Sequence, residues 1–586
     1  MKIIQKIYKT LFTLGIILLM GSCTEDFEET NLDPNSFNFS SPENIFPGVV
    51  FRTLDLVGGD MNANMFMNYA SYTGGKGGQI PRFFFTENAL NSYWSRFYVD
   101  ILKNNQEIID NFSGKPDFAN RVLIAKVWKS YVYSVMVSTF GGVPLDKALS
   151  TDTKVPFNTE EEVYVGILNM LKEAGDGLNT TGDKLGVDPV YNGDNAKWKK
   201  FANSLRLKIA LRISTGFPAL AELHTREVMA KENDMINTNS DNCTLKWGVS
   251  QENWSFNYRT FVFVTVQGGI YPYTNHHFIL NLKTYEDPRL KALIEPANKP
   301  LIIRDQLFAS GSTTTKVTVE YAIPYYGKLL GNNARLTAWD LNPNDNILNN
   351  ATEEAYSGPK KDLFMSQDAS YNLVTAAEVN LMKAEAKLKN WGGVKTAEAY
   401  YYDGIEASFL QYKVSGFATY KERDGIKWGT SSVGKRDLFG ITNSGISADP
   451  MDKIVRQLWF ALYNQGHDAW CLQRRTRGLN QAPHFAPDGY ISGGGLGAGN
   501  AYAEAPERML YPPIEKSVNL QAYNNAVAQL GGADWFSTPL KMNKPYTPTK
   551  WEDVNNAQFN QEFASYWYGY SVDDLIAAGI PYKIIK

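Results

Sequence analysis

Residues 375–412 limit what this chain can fold into more than any other stretch. Thr375, with Glu378 three places on, has the form of a capping box, which satisfies two orphan backbone donors at a helix start. Ala377, Leu381, Ala384 and Leu388 then recur at helical spacing along one stripe. Two of those four are alanines, so a neighbouring helix can come in close. Gly392-Gly393 stops the run, and Tyr401, Ile405, Phe409 and Tyr412 stripe a second helix that begins at Thr396. Two short antiparallel helices with small residues in the seam make a tetratricopeptide-like pair. Such a pair cannot bury its apolar face alone and implies more pairs elsewhere. The stretch is scaffold and holds no catalytic grouping.

Further helices of the same kind flank it. From Leu90 a helix carries Trp94, Tyr98, Ile101 and Ile108 on one side, and another runs from about Asn120 to Phe140. Asn158 and Glu161 suggest a second capping box, opening a helix with Val163, Ile167, Met170 and Leu171 on one face. Trp198, Ala202, Leu205 and Ile209 stripe the next, whose basic side (Lys199, Lys200, Arg206) reads as a solvated face. Pro218 begins another, and Asp449-Pro450 caps one that bears Ile454, Leu458, Ala461 and Leu462 and ends near Gly466. Between residues 243 and 350 the helical period fades. Thr260 to Thr265 and Thr313 to Ile323 alternate as strands do, and Gly/Asn/Pro turns separate them. This region reads as loops and short strands inserted between helix pairs, where binding residues concentrate. The aromatic-rich tail, 546–586, has no period that assigns it.

The first residues carry an address. Lys2, Lys6 and Lys9 precede an apolar run, Leu11 to Met20, too short to span a bilayer. Gly21-Ser22-Cys23 then resembles a bacterial lipobox, in which the cysteine becomes the acylated first residue. Residues 1–22 are thus expected to be a signal peptide, 23–40 a lipidated tether with Cys23 acylated, and 41–586 one α-rich domain. The acidic cluster Glu25, Asp26, Glu28 and Glu29 resembles the surface-export signal of Bacteroidetes lipoproteins. No later stretch is apolar enough for a membrane helix, so the expected attachment is by lipid alone. Cys243 and Cys471 are expected to be buried free thiols. A net charge of −3 gives no reason to expect nucleic acid or a strongly charged ligand.

Catalysis leaves no recognisable mark. Of the five histidines, His276 and His277 are adjacent and would face opposite ways in a strand, and no metal-binding motif is present. The Gly-rich run from Gly493 to Gly499 lacks the Lys-Ser/Thr of a phosphate loop. No cofactor is expected; Asp340, Asn344, Asp345 and Asn346 could hold calcium, though Asx-rich turns form without metal. A sugar needs less than a catalyst does: an aromatic face for its C–H surface, with amides, carboxylates or guanidinium groups for its hydroxyls. Tyr325, Tyr326, Asn333, Arg335 and Trp339 form such a mixture. Phe83 and Phe84 with Tyr72 form another, and Tyr273 follows a third glycine turn. Trp339, which no helical stripe explains, is the first candidate.

Ordered motifs resemble the SusD/RagB family, the cell-surface nutrient-binding lipoproteins of Bacteroidetes. They include the start from Cys23 with Asn31-Leu-Asp-Pro-Asn35, Phe140-Gly-Gly-Val-Pro144, the run from Trp198 to Ile209, and Asp287-Pro-Arg-Leu290. Ala376 to Ala386, Gln457 to Leu462, Gly466-His-Asp-Ala-Trp470, Arg474-Arg-Thr476 and Arg508-Met-Leu-Tyr-Pro512 complete the series. The resemblance implies about four tetratricopeptide-like pairs along one face, with ligand loops on the other. It also implies a SusC-like TonB-dependent transporter as partner in the outer membrane, while the aromatic–amide mixtures favour a glycan or oligosaccharide ligand and no enzymatic activity is expected. Peptide capture on the same scaffold, or a surface glycosidase, are the alternatives.

Overall fold

The computed structural model describes residues 40–76, 86–149, 154–263, 272–297, 301–310, 313–321, 324–327, 356–434, 445–479, 505–547 and 582–584. The longer helices are α1 (Pro42–Leu54), α2 (Glu87–Ser95), α3 (Lys103–Phe112), α4 (Ala119–Phe140), α5 (Glu160–Gly177) and α6 (Asn195–Arg212). They continue as α7 (Pro218–Met229), α8 (His276–Thr284), α9 (Ala376–Leu388), α10 (Ala397–Gln411), α11 (Pro450–Ala461), α12 (Gly466–Thr476) and α13 (Leu520–Gln529). Among these, α4 with α5, α6 with α7, α9 with α10 and α11 with α12 pack as consecutive pairs. The fold is mainly helical, as expected. Among the described residues no helix is long and apolar enough to cross a membrane.

The pair α9–α10 forms as its spacing predicts. Thr375 caps α9, its hydroxyl accepting from the Glu378 amide at 3.3 Å. Ala377, Leu381 and Ala384 are buried, while Leu388, at the helix end, is exposed. Opposite them lies Gly404 of α10. A Cβ there would stand 2.6 Å from Leu381 Cγ and 3.0 Å from the Ala377 carbonyl oxygen, so only glycine permits this approach. The capping box itself is half closed. The Glu378 carboxylate turns inward to Lys208 of α6, 3.0 Å away.

Two other expectations shift. The box at α5 is made by Thr159 and Glu162, not Asn158 and Glu161, and both reciprocal bonds are present. Asn158 instead accepts from the Leu145 amide at 2.9 Å and so turns the preceding loop. The basic side of α6 is not a solvated face throughout. The helix lies against α4, α5, α7, α9 and α12, so Arg206 is buried and pairs with His224 and Glu227. Lys199 and Lys200 keep partial exposure and pair with Asp234 and Asp241.

The strands are short. They are β1 (Thr73–Lys76), β2 (Cys243–Lys246), β3 (Pro272–Thr274), β4 (Ile294–Glu295), β5 (Leu301–Ser310), β6 (Thr313–Tyr321), β7 (Gly358–Pro359), β8 (Ser370–Val374) and β9 (Tyr582–Ile584). They pair antiparallel as β1–β3, β2–β8, β4–β7 and β5–β6–β9. The strand expected from Thr313 is present, and the end of the tail supplies the third strand of its sheet. Residues Tyr258–Phe263 form a π-helical turn in place of the strand expected from Thr260. There Phe261 is buried in the core and Trp254 stacks edge-on with Tyr258 at 5.0 Å, so aromatic packing overrides β propensity. His276 and His277 begin α8 instead of lying in a strand, both buried. Cys243 and Cys471 are buried free thiols.

Candidate ligand-binding site

Segments far apart in sequence meet beside α8. Strand β1 pairs with β3, and the Asn275 amide donates to the Tyr72 carbonyl at 2.9 Å. The Thr274 amide donates to the Ser357 carbonyl at 2.8 Å, and the Ser357 amide to the Tyr326 carbonyl at 2.9 Å. The Gly327 amide reaches His276 Nδ1 at 3.2 Å. Gly327 has no room for a side chain, since a Cβ would lie 2.3 Å from the Thr274 carbonyl oxygen. Backbone hydrogen bonds thus tie the chain next to residues 77–85, 264–271 and 328–355 into one base. Three rings share it. Tyr273 and Tyr356 lie 5.0 Å apart between centroids, and Tyr326 and Tyr356 5.8 Å, both edge-on.

The base brings together three of the aromatic clusters singled out in the sequence, in different roles. Tyr325 is partly exposed, and partial burial raises its phenol pKa. Tyr273 and Tyr326 are buried and form the floor. Tyr72 corrects its expected role. It has no exposed surface, it packs on Phe278, Trp459 and Tyr463, and its hydroxyl donates to the Trp459 carbonyl at 2.5 Å. It anchors the base from within the core. Phe83, Phe84, Asn333, Arg335 and Trp339 lie outside the described residues, as do Cys23 and the Asx cluster from Asp340 to Asn346. Tyr356 was missed because no aromatic cluster surrounds it in sequence; its partners arrive only through the fold.

The cavity beside the floor, lined by Tyr273, Glu295, Pro296, Tyr356 and Lys361 among others, measures about 20 Å³. That is room for about one water. The floor is therefore packed foundation rather than an open ligand pocket.

A cluster of titratable groups elsewhere has the perturbations that often mark active sites. Lys208 and Arg212 of α6 meet Asp468 of α12, each at 2.6 Å, and Lys208 also meets Glu378. Burial pushes the Glu378 carboxyl up to about 7. Burial acts the same way on Asp468, but the Lys208 and Arg212 cations overcome it and hold that carboxyl well below the usual range. Cys471 is held low, against burial, by Arg212, His467 and Arg474. Lys208, Arg212, Glu378, His467 and Cys471 are all buried, and Asp468 keeps 15% of its side-chain surface exposed. The cluster ties α6, α9 and α12 together. No group of His, Cys, Asp and Glu among the described residues could hold a metal ion.

A protein-family profile described as starch-binding and associating with the outer membrane, SusD-like, matches residues 53–512. No curated protein matches the chain. Among solved structures, a SusD homologue from Bacteroides uniformis is 23% identical with a TM-score of 0.66, covering 86% of this chain and 99% of its own. A chitin-binding SusD homologue from Flavobacterium johnsoniae is 20% identical with a TM-score of 0.66 over the same shares. A chitin-binding protein is 21% identical with a TM-score of 0.65, covering 86% of this chain and all of its own. At these identities the likeness establishes the shared fold.

Proposed function

The chain belongs to the SusD-like family, and on that premise we propose that it captures glycans or oligosaccharides at the outer membrane without cleaving them. The observation that carries this reading is the base beside α8, where three chain-distant segments are locked into one aromatic floor. A rigid scaffold under convergent loops suits capture, because affinity rises when the binding groups are ordered beforehand. In this reading Tyr325, Asn333, Arg335, Trp339, Phe83 and Phe84 supply the ligand contacts, with Tyr273 and Tyr326 as foundation. An acylated Cys23 holds the protein to the membrane, and the captured sugar passes to a SusC-like TonB-dependent transporter. The starch-binding description of the family and the chitin-binding relatives support a polysaccharide as ligand.

The test is affinity electrophoresis of residues 24–586 through gels containing starch, glycol chitin and other soluble polysaccharides in turn. Retardation by one of them, relieved by Trp339→Ala with the fold intact, is expected. No retardation by any, together with heat on titrating an oligopeptide mixture, would replace this reading with peptide capture.

A further inference from the structure

An open groove of about 440 Å³ lies where α1 and the π-helical turn after α2 face the segment 247–259. None of its lining residues belongs to the base beside α8. One wall is aromatic. Trp247 packs against Phe51 with centroids 5.5 Å apart and an interplanar angle of 45°, and both remain partly exposed. Trp254, also partly exposed, is braced by Tyr258 at 5.0 Å and by Phe263 at 5.2 Å. Its indole N–H is engaged by the Val249 carbonyl at 2.9 Å, which fixes the ring. The other wall is a chain of ion pairs. Arg259 pairs with Asp55, Arg96 reaches Asp55 at 3.2 Å, and Arg96 also reaches Asp60 at 2.9 Å. These side chains keep between 25% and 43% of their surface exposed, and Asp55, Arg96 and Arg259 among them line the groove.

We propose that this groove is a second subsite, sharing no lining residue with the base beside α8, that takes one or two units of an uncharged glycan. A pyranose presents an apolar C–H face and a rim of hydroxyls. Fixed indole rings suit the first, and preorganised carboxylate and guanidinium groups suit the second. Its charge supports an uncharged ligand, since Arg52, Arg96 and Arg259 are balanced by Asp55, Asp100 and Glu252. The ion pairs already hold the polar wall in place, so binding orders few side chains. Phe51 and Trp247 also pack against the core, and each ring of the wall keeps part of its surface exposed. The choice of sugar as ligand class rests on the glycan reading above; the existence of the site rests on the groove.

The full-length chain would be titrated calorimetrically with maltoheptaose and with chitohexaose, alongside Trp247→Ala, Trp254→Ala and Trp339→Ala, each checked by thermal melting. The expected result is that both groove variants weaken one probe by about fivefold or abolish one of two binding events, and that Trp339→Ala leaves that event in place. Because both indoles are partly exposed, at least one alanine variant should keep the wild-type fold. Identical titrations for wild type, Trp247→Ala and Trp254→Ala would overturn the subsite, as would the absence of heat with both probes. Loss in the groove variants, with no binding event of any kind weakened by Trp339→Ala, would keep the subsite and instead remove Trp339 from glycan binding.

Discussion

Glu160 shows how a single residue can be read only in place. It stands in the first turn of α5, where a carboxylate is ordinarily favoured by the helix dipole. Yet it is buried, both of its oxygens accept from the Lys541 amide at 3.2 Å, and burial pushes its carboxyl up to about 7. A carboxyl whose folded pKa is raised binds its proton more tightly folded than unfolded. The stability it contributes is whole below the unfolded pKa and is lost as pH rises toward 7. Glu160→Gln removes that titration. Urea unfolding at pH 5 and pH 8 should therefore show wild type losing more stability between the two than the variant, by up to about 3 kcal/mol. An equal loss in both would mean that Glu160 stays ionised across this range. Arg206 makes the same point with the opposite sign: a basic residue that sequence places on a wet face becomes one of the most buried cations in the molecule.

At the scale of elements, the seam between α9 and α10 is held open or shut by one atom. Gly404 admits Leu381 and the Ala377 carbonyl because it has no side chain. Gly404→Val should lower stability by about 1–3 kcal/mol, as overpacked seams do, read as an earlier midpoint in denaturant with helix content otherwise kept. A midpoint equal to wild type would mean that the two helices separate freely, and the pair would not be the rigid unit described. The capping boxes teach a related lesson. At α5 the box closes, one residue from where Asn158 suggested, because Asn158 is engaged in the loop before it. At α9 the acid leaves the cap for a buried lysine, since a cation inside the scaffold attracts it more strongly than an amide at a helix end.

At the scale of the whole molecule, one short strand from the tail joins a sheet. Tyr582–Ile584 pairs with Val319–Tyr321 at the edge of the hairpin β5–β6. Ending the chain after Thr547 should keep the thermal midpoint of the scaffold and speed amide exchange in Val319–Tyr321, without change in α9. A lower midpoint would show that the tail supports the scaffold itself. The buried cluster of Lys208, Arg212, Glu378 and Asp468 belongs to this scale too, because it joins helices drawn from residues 195 to 476 into one body.

Much of the scaffold was legible from sequence because helical periodicity and capping are local. The stripes of α4, α6, α9, α10 and α11 and the stop near Gly392 needed only neighbours within a few turns. The aromatic clusters around Tyr72, Tyr273 and Tyr325 were also visible. What could not be read was which rings face a ligand and which are foundation. Tyr72 is sealed in the core and Tyr325 is partly exposed, though their sequence surroundings look alike. Tyr356 joins them only because its neighbour Ser357 bonds to Thr274 and Tyr326, both remote in the chain. By itself the sequence determined several of the long helices, the pairing of α9 with α10 and the stock of aromatic side chains. The tertiary structure alone decided which charges are buried, which rings meet and where a groove remains, because burial and contact depend on what the rest of the chain brings alongside.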